Sequence, residues 1–167
     1  MALNAYLKLK GAKTGIVKGS VIQKGREGKI QVIAATHEVY MPTDTGSGLP
    51  SGARKHKPFI IMKEIDKATP VLHSMLVNNE NITEWELQFW TPTLKAGSGI
   101  GTETQHYTVK LTNARIIDIN FRMLNNKNPE LIKYAEYEEV AFTYKTIEWI
   151  WNDGGITSQD DWEAPAV

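Results

Sequence analysis

Between His56 and Glu80 the hydrophobic period of the chain changes from that of a strand to that of a helix. Phe59 to Glu64 reads as a strand, and beyond it Ala68, Val71, Leu72, Met75 and Leu76 fall at i, i+3, i+4, i+7 and i+8. That spacing draws one apolar stripe along a helix and fits no strand. The helix is expected over about 66–79, with Asn78 and Asn79 at its end. Asp66 can cap its start by accepting backbone N–H bonds, Pro70 being tolerable in the first turn. Thr69 as the cap, with Pro70 at the first helical position, is the alternative. Elsewhere apolar residues alternate or turn residues cluster. The expected fold is therefore mainly β, a barrel or sandwich with one amphipathic helix laid against it.

Leu3 to Leu9 alternates strictly, with Leu3, Ala5, Leu7 and Leu9 on one face and Asn4, Tyr6 and Lys8 on the other. Ile16 to Gln23 reads as a weaker strand, followed by a charged turn between Gly25 and Gly28. Ile30 to Met41 reads as one long strand whose first half is apolar on both faces. Ile82 to Trp90 points Trp85, Leu87 and Phe89 inward and Glu84, Glu86 and Gln88 outward. Lys95 to Gly101 reads as a loop. Gln105 to Arg122 reads as two strands in one phase, Tyr107, Val109 and Leu111, then Ile117, Ile119 and Phe121, interrupted by a bend or bulge at Asn113-Ala114-Arg115. Leu131 to Ala135 reads as a short helical piece. Glu138 to Trp151 switches phase, from Val140, Phe142 and Tyr144 to Ile147, Trp149 and Trp151. Because one residue of slip moves side chains to the opposite face, a bulge near Lys145 or a strand serving two apolar surfaces is expected.

Two stretches fit no regular element. Pro42 to Lys57 is rich in Gly, Pro, Ser and Thr and ends in the basic cluster Arg54, Lys55, His56 and Lys57. Loops this long in compact domains are usually functional or disordered, and it reads either as a surface hairpin or as an arm reaching a neighbouring molecule. The polar tail, 152–167, has Trp162 as its only large apolar group, and is expected either to be disordered or to dock through that ring.

The 167 residues suit one domain, 1–167, and their 19 basic and 19 acidic side chains cancel. No long-range field draws such a chain to nucleic acid or to an anionic membrane, and near-zero charge favours self-association. The absence of cysteine excludes disulfides and thiolate chemistry. The N-terminal sequence lacks a basic region followed by an apolar run, so no secretory signal is expected, nor is membrane insertion. His37, His56, His73 and His106 show no metal-ligand spacing, and no nucleophile motif or phosphate loop is formed. No catalytic, cofactor or metal site is expected.

At Ile65-Asp66-Lys67-Ala68-Thr69-Pro70, followed by the amphipathic helix, the chain resembles the haemolysin-coregulated (Hcp) proteins, the inner-tube proteins of bacterial type VI secretion systems. Three other stretches carry the same likeness: Pro50-Ser51-Gly52 through Arg54, His56, Lys57, Pro58 and Phe59; Tyr107 through Asn113-Ala114-Arg115-Ile116; and Glu138 to Trp151 followed by Gly154-Gly155 and Asp161-Trp162. The resemblance runs from Leu3 to Trp162.

It implies a small β-barrel of two sheets with the helix packed on one side, an architecture shared with phage tail tubes. It implies homo-hexameric rings stacked into a tube, which a contractile sheath drives into a target cell behind a spike protein. Small effector proteins would travel in the lumen, and export by the machine itself would need no signal peptide. On this resemblance Thr43, Asp44, Arg54, Lys55, His56 and Lys57 are candidates for subunit and ring-stacking contacts. Asp160 and Asp161 are candidate carboxylate partners, and Thr36 is a candidate lumen-facing residue.

Overall fold

The computed structural model describes residues 4–93 and 103–164. Thirteen strands and one helix follow in the order β1 (Ala5–Gly11), β2 (Gly15–Val17), β3 (Ile30–Val32), β4 (Ala34–Thr36), β5 (Val39–Tyr40), β6 (Lys55–His56), β7 (Phe59–Glu64), α1 (Thr69–Val77), β8 (Ile82–Pro92), β9 (Glu103–Thr112), β10 (Arg115–Arg122), β11 (Tyr137–Thr143), β12 (Thr146–Trp151) and β13 (Ile156–Asp161). They form a seven-stranded sheet in the order β13-β12-β9-β8-β1-β2, with β3 beside β1, a four-stranded sheet β10-β11-β7-β4, and a ribbon of β5 and β6. The mainly β fold with one helix is as expected. Strand pairing keeps two distinct sheets and does not close them into a barrel among the described residues.

Alternation explains how they stack. Leu7 and Leu9 of β1, Leu87 of β8, Leu111 of β9 and Ile147 of β12 form the inner face of the large sheet. Phe59, Ile61, Val140 and Phe142 form that of the small sheet. Trp85 joins the two, its ring centroid 5.0 Å from Phe59 and 5.4 Å from Phe142, both edge to face. Helix α1 adds Leu72 and Met75 to the same core, its Val77 end remaining exposed.

The helix is shorter than the expected 66–79, and its N-terminus is fixed by the side chains of Asp66 and Thr69. The Asp66 carboxylate accepts the Ala68 N–H at 2.9 Å, and the Thr69 hydroxyl accepts the Asp66 N–H at 3.2 Å. Asp66 thus accepts a backbone N–H at the helix start as expected, ahead of the first helical residue, whereas Thr69 is itself that first residue and not the cap. At the other end Asn79 turns left-handed at φ 48°, a conformation Asn tolerates, and terminates the helix as expected.

Several expectations change, two of them because the chain turns corners between sheets. Ile30 to Met41 is not one strand, since β3 belongs to the large sheet and β4 to the small one. The two-faced apolar character of its first half reflects this transfer. β9 and β10 part at the expected interruption, at Asn113, left-handed at φ 50°, and fall in different sheets. β11 and β12 part at Tyr144-Lys145, which is the source of the phase switch there. On β10 a register shift between Ile116 and Asp118 buries Ile116 and leaves Ile117 exposed, reversing the facing expected of Ile117, while Ile119 packs against the core as expected.

A further change concerns Ile16 to Gln23, where pairing stops at Val17. Gly19 lies so close to the Lys29 carbonyl that an added Cβ would sit 2.3 Å from it. The turns after it cross the outer face of the large sheet, where Arg26 stacks 4.3 Å from the Trp90 ring centroid. Tyr6 and Gln88, on that outer face, are consequently buried. Leu131 to Ala135 forms turns and not a helical piece. Leu3 and the loop Lys95 to Gly101 lie outside the described residues.

Candidate functional site

Loop 42–57 is an ordered hairpin. β5 and β6 pair Val39 with His56 and Tyr40 with Lys55, and Thr43 bridges Pro50 further out. At the tip the Asp44 carboxylate accepts the Ser47 hydroxyl at 2.7 Å and the Ser47 N–H at 2.9 Å. The Ser47 hydroxyl, more than any other contact, holds that carboxyl below its ordinary pKa. Thr43, Asp44 and Lys55 are exposed, and Lys57 pairs with Glu38 at 2.7 Å on the surface.

Pairing puts successive β6 side chains on opposite faces, so His56 points inward where Lys55 points out. The His56 side chain is fully buried and its Nε2 lies 2.7 Å from Asp160 Oδ2. A carboxylate only accepts, so Nε2 carries the hydrogen. Arg54 grips the same carboxylate with two bonds, Nε to Oδ2 and Nη2 to Oδ1, each 2.7 Å. It also donates to the carbonyls of Asp161 at 2.5 Å and Ala164 at 2.6 Å. The Arg54 bonds, more than any other contact, hold the Asp160 carboxyl below its usual range.

On the other side of His56, Nδ1 lies 2.8 Å from the Tyr144 hydroxyl, which lies 2.7 Å from His37 Nε2. Trp162 stacks on the His56 ring at 5.5 Å between centroids.

The structure thus gathers Arg54, His56, Asp160 and the Asp161 backbone into one clasp. The Arg54 contact with Asp160, expected between subunits, is made inside the chain. It ties the loop hairpin to β13, which pairs with β12 over Thr146–Trp151, so the tail is ordered through Asp161 and docks Trp162. The Asp161 carboxylate instead accepts the Glu163 N–H at 2.9 Å. Sequence reading missed His37 and Tyr144, which no spacing links to the loop. The corner at Tyr144 was visible only as a phase switch.

Thr36 lies elsewhere, on the outer face of the small sheet. Register aligns it with Ile60, Ile60 with Ala141, and Ala141 with Asp118. The neighbouring row runs Ala34, Met62, Glu139 and Asn120. Both outer strands of this sheet, β4 and β10, have no further strand beside them among the described residues.

Residues 6–151 match the family described as type VI secretion system effector, Hcp. The chain belongs to the Hcp family. The curated "Major exported protein" of Pseudomonas aeruginosa is similar over all of this chain and 99% of its own length, at 37% identity. Among solved structures, an Hcp1 protein from E. coli EAEC 042 superposes with a TM-score of 0.83 at 30% identity, covering 96% of this chain and 99% of that one. The secreted protein Hcp3 from Pseudomonas aeruginosa gives 0.74 at 30% identity, covering 98% of this chain and all of that one. The chain is thus a type VI secretion tube protein of the Hcp family. The family match stops at Trp151, so the Asp160 half of the clasp lies beyond the matched residues.

Proposed function

We propose that this Hcp chain is the repeating subunit of a type VI inner tube, closing into hexameric rings that stack and carry small effector proteins in the lumen. The observation that carries the reading is the small sheet with two open edges and an exposed face. An open strand edge is a template for pairing with another chain. If β4 of one copy meets β10 of the next, the contact is heterologous and closes by rotation into a ring. The face bearing Thr36, Ile60, Met62 and Ala141, with Asp118, Asn120 and Glu139 in the same rows, would then turn inward as a wall of small, apolar and acidic side chains. The loop carries Thr43, Asp44, Lys55 and Lys57 outward for contact between rings. Arg54, His56 and Asp160 serve behind it, fixing the hairpin in place. Spike and contractile sheath would act on the assembled tube.

The role is structural, not catalytic. His56 and Asp160 have the geometry of a base and its orienting carboxylate, but the His56 nitrogen that would act faces Tyr144 and its side chain is fully buried.

Negative-stain electron microscopy with native mass spectrometry tests the reading. Six-fold rings are the expected result, and a clean monomer at micromolar concentration would overturn it. In the Lys55→Glu/Lys57→Glu variant, rings are expected to persist while stacks shorten. Stacks of wild-type length would remove the loop from the contact.

A further inference from the structure

We infer that the junction of His37, Tyr144 and His56 is an acid-operated latch, holding β13 on the loop hairpin while at most one of the two histidines is charged and releasing it when both are. The latch lies within a single chain and does not depend on ring assembly.

Tyr144 has one hydroxyl hydrogen and lies between two imidazole nitrogens, 2.7 Å from His37 Nε2 and 2.8 Å from His56 Nδ1. The Asp160 carboxylate fixes the hydrogen of neutral His56 on Nε2, leaving Nδ1 bare. The hydroxyl therefore donates to His56 Nδ1 and accepts from His37 Nε2–H. Every bond in the line from His37 to Arg54 is then made, and the charges of Asp160 and Arg54 cancel.

One added proton can be absorbed. If it goes to His37, the line keeps its direction. If it goes to His56, the hydroxyl turns to donate to His37, which moves its own hydrogen to Nδ1. A second proton cannot be absorbed. Both ring nitrogens then carry hydrogens aimed at the phenol oxygen, and the hydroxyl hydrogen has no acceptor in the line. Two imidazolium rings would also stand 6.4 Å apart between centroids, with one carboxylate already shared with Arg54.

The other charges facing the junction do not relieve this. On the loop side Lys57 is paired with Glu38, and Lys55 points outward. On the tail side Glu163 is exposed and lies 3.8 Å from Lys145, while Asp161 is engaged by the Glu163 N–H. Burial keeps the Tyr144 phenol above its ordinary pKa, so it stays a neutral donor and acceptor. His37 also lines an open groove of about 460 Å³, which gives solvent a route to the line.

The sign depends on which state accepts protons. Burial, reinforced by His56, holds His37 below its ordinary pKa in the closed state. An opened hairpin restores the ordinary value near 6.5. The open form thus binds more protons below that value, and closure weakens as pH falls.

Amide hydrogen exchange on the full chain tests this. Between about pH 7 and about pH 5, after correction for intrinsic rates, exchange at Ile156–Asp161 is expected to rise about tenfold or more while Leu87 and Val109 keep their protection. His37→Phe preserves a ring beside Phe59, removes one titrating group, and is expected to hold β13 protected to lower pH. Nitrogen-15 spectra near pH 7 should show His56 protonated at Nε2 alone. The latch is overturned if β13 protection is unchanged across the range. It is equally overturned if protection is lost together with β8 and β9, if the variant opens at the wild-type pH, or if His56 carries its hydrogen on Nδ1.

Discussion

Replacing Lys63 by methionine is expected to cost about 3–5 kcal/mol of folding stability, read as a lower urea midpoint with an unchanged slope. Lys63 and Glu138 are paired across β7 and β11, and both side chains are fully buried. The ammonium donates to Glu138 Oε1 at 2.8 Å, to the Glu64 carbonyl at 2.8 Å and to the Thr69 hydroxyl at 3.0 Å, and lies 2.9 Å from Asp66. The network pins the start of α1 to the small sheet. Methionine fills the space but strands the Glu138 charge, whose second oxygen already has no partner among the described residues. The test is the double variant Lys63→Met/Glu138→Leu. Removing both charges is expected to recover most of the loss, to within about 1–2 kcal/mol of the parent. A double variant as unstable as the single one would show that the cost lies in packing and not in charge.

The second large effect centres on Trp85. Trp85→Ala is expected to cost about 3–5 kcal/mol, because the ring fills the centre of the core between Phe59 and Phe142. Trp85→Phe separates size from polarity. The indole N–H has no acceptor among the described residues, so its removal breaks no hydrogen bond there, and a loss of about 1–2 kcal/mol is expected. Equal losses in the two variants, measured by urea unfolding, would mean that the indole makes a bond the structure does not show.

The sequence announces whatever depends on local period. β7 occupies the expected 59–64, and Trp85 and Leu87 face the core because alternation dictates it. Transfer between sheets was not legible. A corner at Val32–Ala34 and one at Tyr144-Lys145 look like continuous strands, since the chain stays extended and only its partner changes. Tyr6 could not be read as buried, because the turns covering it come from residues 18–29. For the candidate site, resemblance singled out Arg54, His56 and Asp160, which the structure does bring together. It placed the pairing of Arg54 with Asp160 between subunits and not within one chain, and it did not reveal that His37 and Tyr144 complete the line. Contacts between residues a hundred positions apart leave no mark in spacing.

The corners have a mechanical consequence. β3 runs into β4, β9 into β10 and β11 into β12, so three backbone seams stitch the large sheet to the small one. Hydrogen bonds and apolar contacts between layers yield when one layer slides over the other, whereas a covalent seam does not. Thrust applied to one sheet therefore passes to the other through the backbone, and the domain resists shear without cross-links. A chain without cysteine has this means of staying rigid under load in reducing and oxidising surroundings alike.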